Sequence, residues 1–286
     1  MLPPPGPIGA LALRAAETPE RPFLFHLRGL DWRWLSYREA AGRIGGVAAR
    51  LGTLPPGVRV GFPATGGLFS FLVDLAVRST GRIAIPVGPL DSEAARDPEL
   101  ARLGAEAFLA LPGFAPSRTV PTLEIPDPFQ LSGELPGGEG GVLIEEDGAA
   151  WDESPEKVGA AGERFDRAVS AARKRPAREI VVVGPPSRIF IDRAFSDWAV
   201  RSGAACLFEP DESARAASAA WGRVSVHAGS AVELAELVGR ARSAQRVPFS
   251  RSGLPFGRLH TVFPTDGAGL DPAATEAWRS LGVAVG

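Results

Sequence analysis

Leu35–Val87 reads LSYREAAGRIGGVAARLGTLPPGVRVGFPATGGLFSFLVDLAVRSTGRIAIPV, and this stretch decides the fold. Ser36 followed three residues later by Glu39 is a capping-box signature, in which each side chain accepts the other's backbone N–H. Behind it Ala40, Ile44, Val47, Ala48 and Leu51 recur at helical spacing, so the helix has one buried face. Val58–Phe62 then reads as a short apolar strand, and Leu68, Phe71, Leu72, Leu75 and Ala76 mark a second helix. Arg82–Val87 is a further strand, ended by Pro86 and Gly88. Helix and strand alternating at this pace predict an α/β fold with a wound, largely parallel sheet.

The same alternation runs outward from this stretch. Ala107–Leu111 is another strand, and from Pro112 to Gly141 the composition turns to Pro, Gly and Ser, as in a surface connection or a boundary between sheets. Beyond it Gly141–Ile144 reads as a strand, and Val158, Ala161, Phe165, Ala168, Val169 and Ala172 define one amphipathic helix. Strands are expected at Glu179–Val183, Ala204–Phe208, Arg223–His227, Arg258–Phe263 and Val283–Val285, with helices at 192–202, 230–243 and 271–281 between them. The predicted organisation is a first α/β subdomain over 1–112, a connection over 113–140 and a second α/β subdomain over 141–286. Each half is expected to form one sheet of a layered sandwich.

Composition narrows the function. A formal charge of −2 spread over both signs calls for neither nucleic acid nor an anionic membrane surface. Cys206 is the single cysteine, which excludes an internal disulfide framework and a thiolate metal cluster. The opening MLPPPGPIGA has no basic segment of the signal-peptide kind, and no run of about 18 apolar residues occurs. A cytoplasmic protein with no membrane span is the expectation.

The string Leu35–Leu51 resembles the opening helix of AMP-forming acyl-CoA synthetases and other adenylate-forming enzymes, LTYRELxxRxxxLAxxL in its usual form. PGVRVGFPATGGLFSFLVDLAVRSTGRIAIPVGP is similar to that family's PGDRVALLLPNSxEFxxAFLAxLxAGAVxVPLNP. Gly184–Ile191, GPPSRIFI, is similar to LPLFHVFG, Ala199–Phe208 to LLAGATVVL, and Val262–Pro272 to VSGGAPLPP. The resemblance is strong to Val87 and weaker afterwards. It implies the N-terminal domain of the family: two wound, largely parallel sheets with helices in a layered sandwich.

It also implies a chemistry, in which ATP activates a carboxylic acid as an acyl adenylate that is then transferred to coenzyme A. The family's TSGTTGxPKG loop wraps the phosphates with backbone amides and small hydroxylated residues. Its counterpart here is EEDGAAWDESPEKVG, Glu145–Gly159, where Gly148 matches the first glycine. Ala149 and Ala150 replace the threonines and Trp151 replaces a small glycine. Glu145, Glu146, Asp147, Asp152, Glu153 and Glu156 crowd a segment whose first base is Lys157, and like charges beside a polyphosphate repel by about 1 kcal/mol per close pair even in water. Such acids form a solvated face or, alternatively, hold a bridging magnesium. The YGxTE-like motif would follow LGVAVG, where this sequence ends at Gly286, and the family's later ribose-binding aspartate and C-terminal lysine have no counterpart either.

The resemblance assigns no catalytic residue and no metal ligand. Gly148, Gly267 and Ala268 match nucleotide-site positions, although a turn before a helix explains Gly267 and Ala268 as well. Arg188 and Phe190 stand where the family has a histidine and an aromatic before its acyl pocket, and His227 and Gly229 stand where acid-pocket residues occur. Each has a plain alternative: Phe190 as core, and His227 as a structural histidine without a visible acid partner. Trp32 and Trp34 either cover the sheet or anchor a partner. No GxGxxG follows the first strand, and there is no GxxxxGKS or GxxxxGKT, HExxH or GxSxG.

The residues therefore predict a degenerate adenylate-forming domain that binds a small carboxylic acid or regulates a protein partner, with no cofactor. ATP and magnesium enter only if the altered segment remains competent. Two alternatives stay open: one part of a synthetase completed by a separate C-terminal ligase chain, and a truncated product without a selected function.

Overall fold

A computed structural model describes residues 6–28, 31–64, 67–88, 93–172, 180–183, 186–208, 224–245, 259–265 and 269–286. The capping box forms as the sequence predicts: Ser36 Oγ accepts the Glu39 N–H at 3.2 Å, and Glu39 Oε2 accepts the Ser36 N–H at 2.8 Å. The chain runs α1 (Pro7–Glu17), β1 (Pro22–Arg28), β2 (Asp31–Ser36), α2 (Tyr37–Arg50), β3 (Arg59–Pro63), α3 (Leu68–Ser79), β4 (Ile83–Val87), α4 (Glu93–Arg102), β5 (Ala107–Ala110) and β6 (Thr122–Glu124). Then come β7 (Val142–Glu146), β8 (Ala149–Glu153), α5 (Pro155–Ala161), α6 (Glu163–Ala172), β9 (Ile180–Val182), α7 (Phe190–Ser202), β10 (Ala205–Phe208) and β11 (Val226–Gly229). α8 (Ala231–Gln245), β12 (Thr261–Pro264), α9 (Pro272–Ser280) and β13 (Ala284–Val285) complete it.

The strands make two sheets, of order β13-β12-β11-β9-β10-β1-β2 and β6-β5-β3-β4-β7-β8. Pairing is parallel except within the terminal pairs β1–β2 and β7–β8. The two halves exchange hairpins: β1–β2 joins the sheet of the later strands, and β7–β8 joins that of the earlier ones. The division between sheets thus does not fall at 113–140. That connection is a bonded strap: Gly133 donates to the Gly42 carbonyl on α2 (2.9 Å), and Gly138 and Gly140 donate to Ser79 and Arg78 (2.9 and 2.8 Å). Both carbonyls lie in the last turn of α3, where no i+4 partner is available within the helix, and the Arg78 carbonyl also accepts the Gly81 N–H at 2.9 Å.

Strand alternation sorts the core into layers. Val181 and Val183 face inward with Phe62, Ala84, Val142, Cys206, Val226 and Ala228, together with apolar residues of α1, α2, α3, α6 and α7. Val182 and Val262 face outward against Leu234, Leu237 and Val238 of α8 and Ala277 and Trp278 of α9. On the other sheet Ile85, Phe108 and Leu143 face outward against Leu100 and Leu103. Helices therefore lie between the sheets and on both outer faces, the layered sandwich predicted.

Two differences from the sequence reading have local causes. The single helix expected through Val158–Ala172 is two, α5 and α6, parted at Gly162, where Arg201 of α7 reaches in to donate to the Gly159 carbonyl at 2.6 Å. β1 and β2 were not foreseen. Two similar stretches, DLAVRSTG (74–81) and DWAVRSG (197–203), each close a helix that feeds a parallel strand, β4 and β10.

α3 and α7 are joined by a buried charge quartet. Arg78 donates to both Asp197 oxygens at 2.6 and 2.7 Å, Arg193 donates to Asp74 at 2.6 Å, and Arg78 lies 3.7 Å from Asp74. No member is more than 3% exposed. Burial works against the Arg78 charge, but Asp197 and then Asp74 hold its guanidinium protonated more firmly than usual.

Candidate functional site

The segment matched to the phosphate loop is a tight hairpin. β7 and β8 pair antiparallel from Val142–Glu153 to Glu146–Ala149, so Asp147 and Gly148 alone connect them. Both lie in the left-handed region, φ 51° and 79°, as a type I′ hairpin turn requires. Aspartate tolerates this conformation and glycine adopts it freely, so the Asp-Gly pair is the local cause of the turn. Gly148 is thus the second central residue of a two-residue turn, and β8 is an edge strand with Trp151 half exposed.

The acids of this segment are not an unscreened cluster, because arginines distant in sequence reach them. Glu145 pairs with Arg102 at 2.7 Å and Arg188 at 3.1 Å; Glu99 of α4 pairs with the same two arginines at 2.8 and 2.6 Å. Asp152 pairs with Arg59 at 2.8 Å, and Glu153 with Lys157 at 3.3 Å. Glu146 accepts the Phe190 N–H at 3.3 Å. The hydrogen bond from Arg102, with Arg188 behind it, holds the Glu99 carboxyl down to about 2 against its partial burial. Arg188 is therefore held at the root of the hairpin by two carboxylates, and its own carbonyl accepts the Glu145 N–H at 2.8 Å. Among the described residues no group of three or more His, Cys, Asp or Glu side chains is placed to hold a metal ion.

A pocket of about 330 Å³ opens elsewhere, lined by Arg164 and Ala168 of α6, Ile191 of α7, Phe263 and Pro264 of β12, and Gly269 and Gly286. Aromatic side chains fill the core beside it. The Phe165 ring meets Phe263 edge-on at 4.8 Å and Phe195 at 5.2 Å, and Trp198 lies 5.3 Å from Phe195. Arg164 sits over the Phe165 ring at 4.7 Å, and partial burial lowers its pKa.

The sequence-derived residues do not converge on this pocket. Phe190 begins α7 and packs partly buried against the central core, one residue before Ile191, which does line the pocket. His227 pairs in register with Val182 and Val262, so it shares their outward face, turned from the pocket. There it is fully buried and meets Glu233 at 3.1 Å, the acid partner that the sequence reading lacked, six residues on in the first turn of α8. Gly229 makes that approach possible, since a Cβ there would lie 2.7 Å from Glu233 Oε2. Gly267 and Ala268 lie outside the described residues; Gly269, next in sequence, lines the pocket. Phe263 and Pro264, like Gly269, fall in the stretch Val262–Pro272 matched to VSGGAPLPP, whereas Arg164 carries no motif, and the packing of α6 against β12 brings them together.

No protein-family model matches the chain, and no curated protein matches it either. Solved structures do. E. coli MenE with bound OSB-AMS is 16% identical with a TM-score of 0.70, over 96% of this chain and 58% of MenE. The Klebsiella oxytoca NpsA N-terminal subdomain in complex with 3-hydroxyanthranilyl-AMSN is 16% identical with a TM-score of 0.73, over 99% of this chain and 74% of that one. The fatty acid AMP ligase from Legionella pneumophila is 13% identical with a TM-score of 0.71, over 97% of this chain and 53% of the ligase. The chain thus spans little more than half the length of MenE and of the Legionella ligase, and it has the fold of the N-terminal part of adenylate-forming enzymes.

Proposed function

We propose that this chain binds a small carboxylic acid, as a binding or regulatory domain, and does not by itself form an acyl adenylate. The hairpin turn at Asp147–Gly148 is the observation that carries this reading. A phosphate cradle needs consecutive backbone amides turned toward the anion. Here two turn residues stand where the family has a ten-residue loop, and the flanking strands pair with each other. Magnesium would need carboxylate oxygens. Glu145, Asp152 and Glu153 already hold Arg102, Arg188, Arg59 and Lys157. The residues present do not fit magnesium-ATP bound in the family's manner. The pocket between α6, α7 and β12 supports a surviving acid site, and MenE, NpsA and the Legionella ligase are structures of the same fold whose names or ligands concern acids joined to AMP or its analogues.

A cytoplasmic location accords with the single, buried Cys206 and with the finding that no described helix is long and apolar enough to cross a membrane. A second reading is one part of an acyl-CoA synthetase completed by a separate C-terminal ligase chain. Calorimetric titration with magnesium-ATP, alone and with carboxylic acids, separates the two. Acid binding with no saturable ATP heat is expected; saturable ATP binding decides for the second reading.

A further inference from the structure

Arginine side chains in this protein are mostly spoken for: Arg59, Arg78, Arg102, Arg188 and Arg193 hold carboxylates, and Arg201 holds a carbonyl. Arg164 is one of the exposed arginines, with Arg21, Arg50, Arg167 and Arg279, whose side chains have no ion-pair or hydrogen-bond partner among the described residues, and of these it is the one that lines the pocket. Its guanidinium rests 4.7 Å above the Phe165 ring, which leaves the N–H edge for an anion. The rest of the lining, Ala168, Ile191, Phe263 and Pro264, is apolar, and the two glycines add no side chain.

Resting on the acid-binding reading above, we propose that Arg164 is the anion anchor of this pocket, and that the ligand is a compact apolar monocarboxylate held by its carboxylate at Arg164. A volume of about 330 Å³ is at the low end of ligand pockets, which run from about 300 to 1,000 Å³. It suits a single-ring body and not a long acyl chain. The guanidinium fork matches a carboxylate through two parallel N–H donors. A phosphate head offers the same chemistry, so the test has an arm for each.

The experiment is titration calorimetry of the full chain and of Arg164→Leu and Arg164→Lys with benzoate, benzamide, dodecanoate, AMP and inorganic phosphate. Arg164 is an exposed residue, so both variants should fold, and circular dichroism checks that they do. Expected are saturable benzoate binding, about 10-fold or more weaker in Arg164→Leu and partly restored in Arg164→Lys, with benzamide and dodecanoate weak throughout. Benzoate bound equally by the parent and Arg164→Leu, or benzamide bound as tightly as benzoate, overturns the anchor and leaves the acid pocket standing. Dodecanoate as the tightest acid overturns the size assignment. AMP or phosphate binding that displaces benzoate and is lost in Arg164→Leu replaces the carboxylate with a phosphate head. Silence toward every acid sinks the anchor and the acid-binding reading together.

Discussion

Asp197→Ala tests whether α3 and α7 are held by the buried quartet. The substitution removes two charge-assisted bonds to Arg78, at 2.6 and 2.7 Å, and leaves a guanidinium that is 1% exposed. Breaking a buried ion pair from one side costs about 3–5 kcal/mol, because the surviving charge stays desolvated. Asp74 remains 3.7 Å from Arg78 but is already bonded to Arg193 at 2.6 Å, which places the loss toward the low end, at about 3 kcal/mol. For a chain of this size that is a fall in Tm of about 6 °C. Urea unfolding followed by the fluorescence of the buried Trp198 and Trp278 measures it. Arg78→Met combined with Asp197→Leu removes both charges and should lie within about 1 kcal/mol of the parent, the Asp74–Arg193 pair being kept. A loss below about 1 kcal/mol for Asp197→Ala, or a double variant as unstable as the single one, would refute the reasoning.

Three further outcomes are expected. Gly229→Ala places a Cβ 2.7 Å from Glu233 Oε2, so the carboxylate must move and leave the fully buried His227 without it; the cost should be about 1–3 kcal/mol by urea unfolding, and Glu233→Gln should cost less. Gly148→Val forces a β-branched residue into the left-handed region at φ 79° and should cost about 1–2 kcal/mol in thermal melts, whereas Gly148→Asn should be close to the parent. Glu99→Gln should remove about 1 kcal/mol at pH 7. Because the arginines depress the Glu99 pKa in the folded state to about 2, its contribution is complete above the unfolded value near 4.3 and is lost as the pH falls between them. Melts of both proteins should therefore converge as the pH falls toward 2; a gap that stays constant with pH contradicts the assignment.

The fold was legible wherever a signal was local. Ser36 and Glu39 announced α2, and the apolar spacing of Leu68 to Ala76 announced α3, because capping and one-sided burial act within a few residues. β1 has one local partner, β2, with Arg28 opposite Asp31, but its place in the sheet depends on β10 far along the chain, where Leu24 pairs with Cys206. Asp147-Gly148 is a local signal for the hairpin, because an Asp-Gly pair between strands is typical of a type I′ turn. Helix 158–172 failed for the opposite reason, as the break at Gly162 is where Arg201 bonds the Gly159 carbonyl. The pocket was the least legible part. Phe263 lies in the stretch Val262–Pro272 that the family resemblance marked, but Arg164 is distant in sequence and nothing in its neighbours announces the cavity the two share.

The acids of Glu145–Glu156 show how a charge argument made from adjacent residues changes when tertiary partners are supplied. Along the sequence these side chains repel one another and a polyphosphate, with Lys157 as the first base. In the fold Arg59, Arg102 and Arg188 reach Asp152 and Glu145 from β3, α4 and the approach to α7, so part of the segment's charge is offset by the body of the protein. For the proposal that ATP binds poorly, simple repulsion is therefore the weaker support, and occupancy of the carboxylates is the stronger. A carboxylate that already accepts two guanidinium N–H groups must release them before it can serve a metal ion. Releasing Glu145 would uncover Arg102 and Arg188 at once, with Glu99 as their remaining partner. On the proposed reading, the network that fastens the hairpin to α4 also keeps Glu145 from a magnesium-bound phosphate, because its oxygens are already held by Arg102 and Arg188.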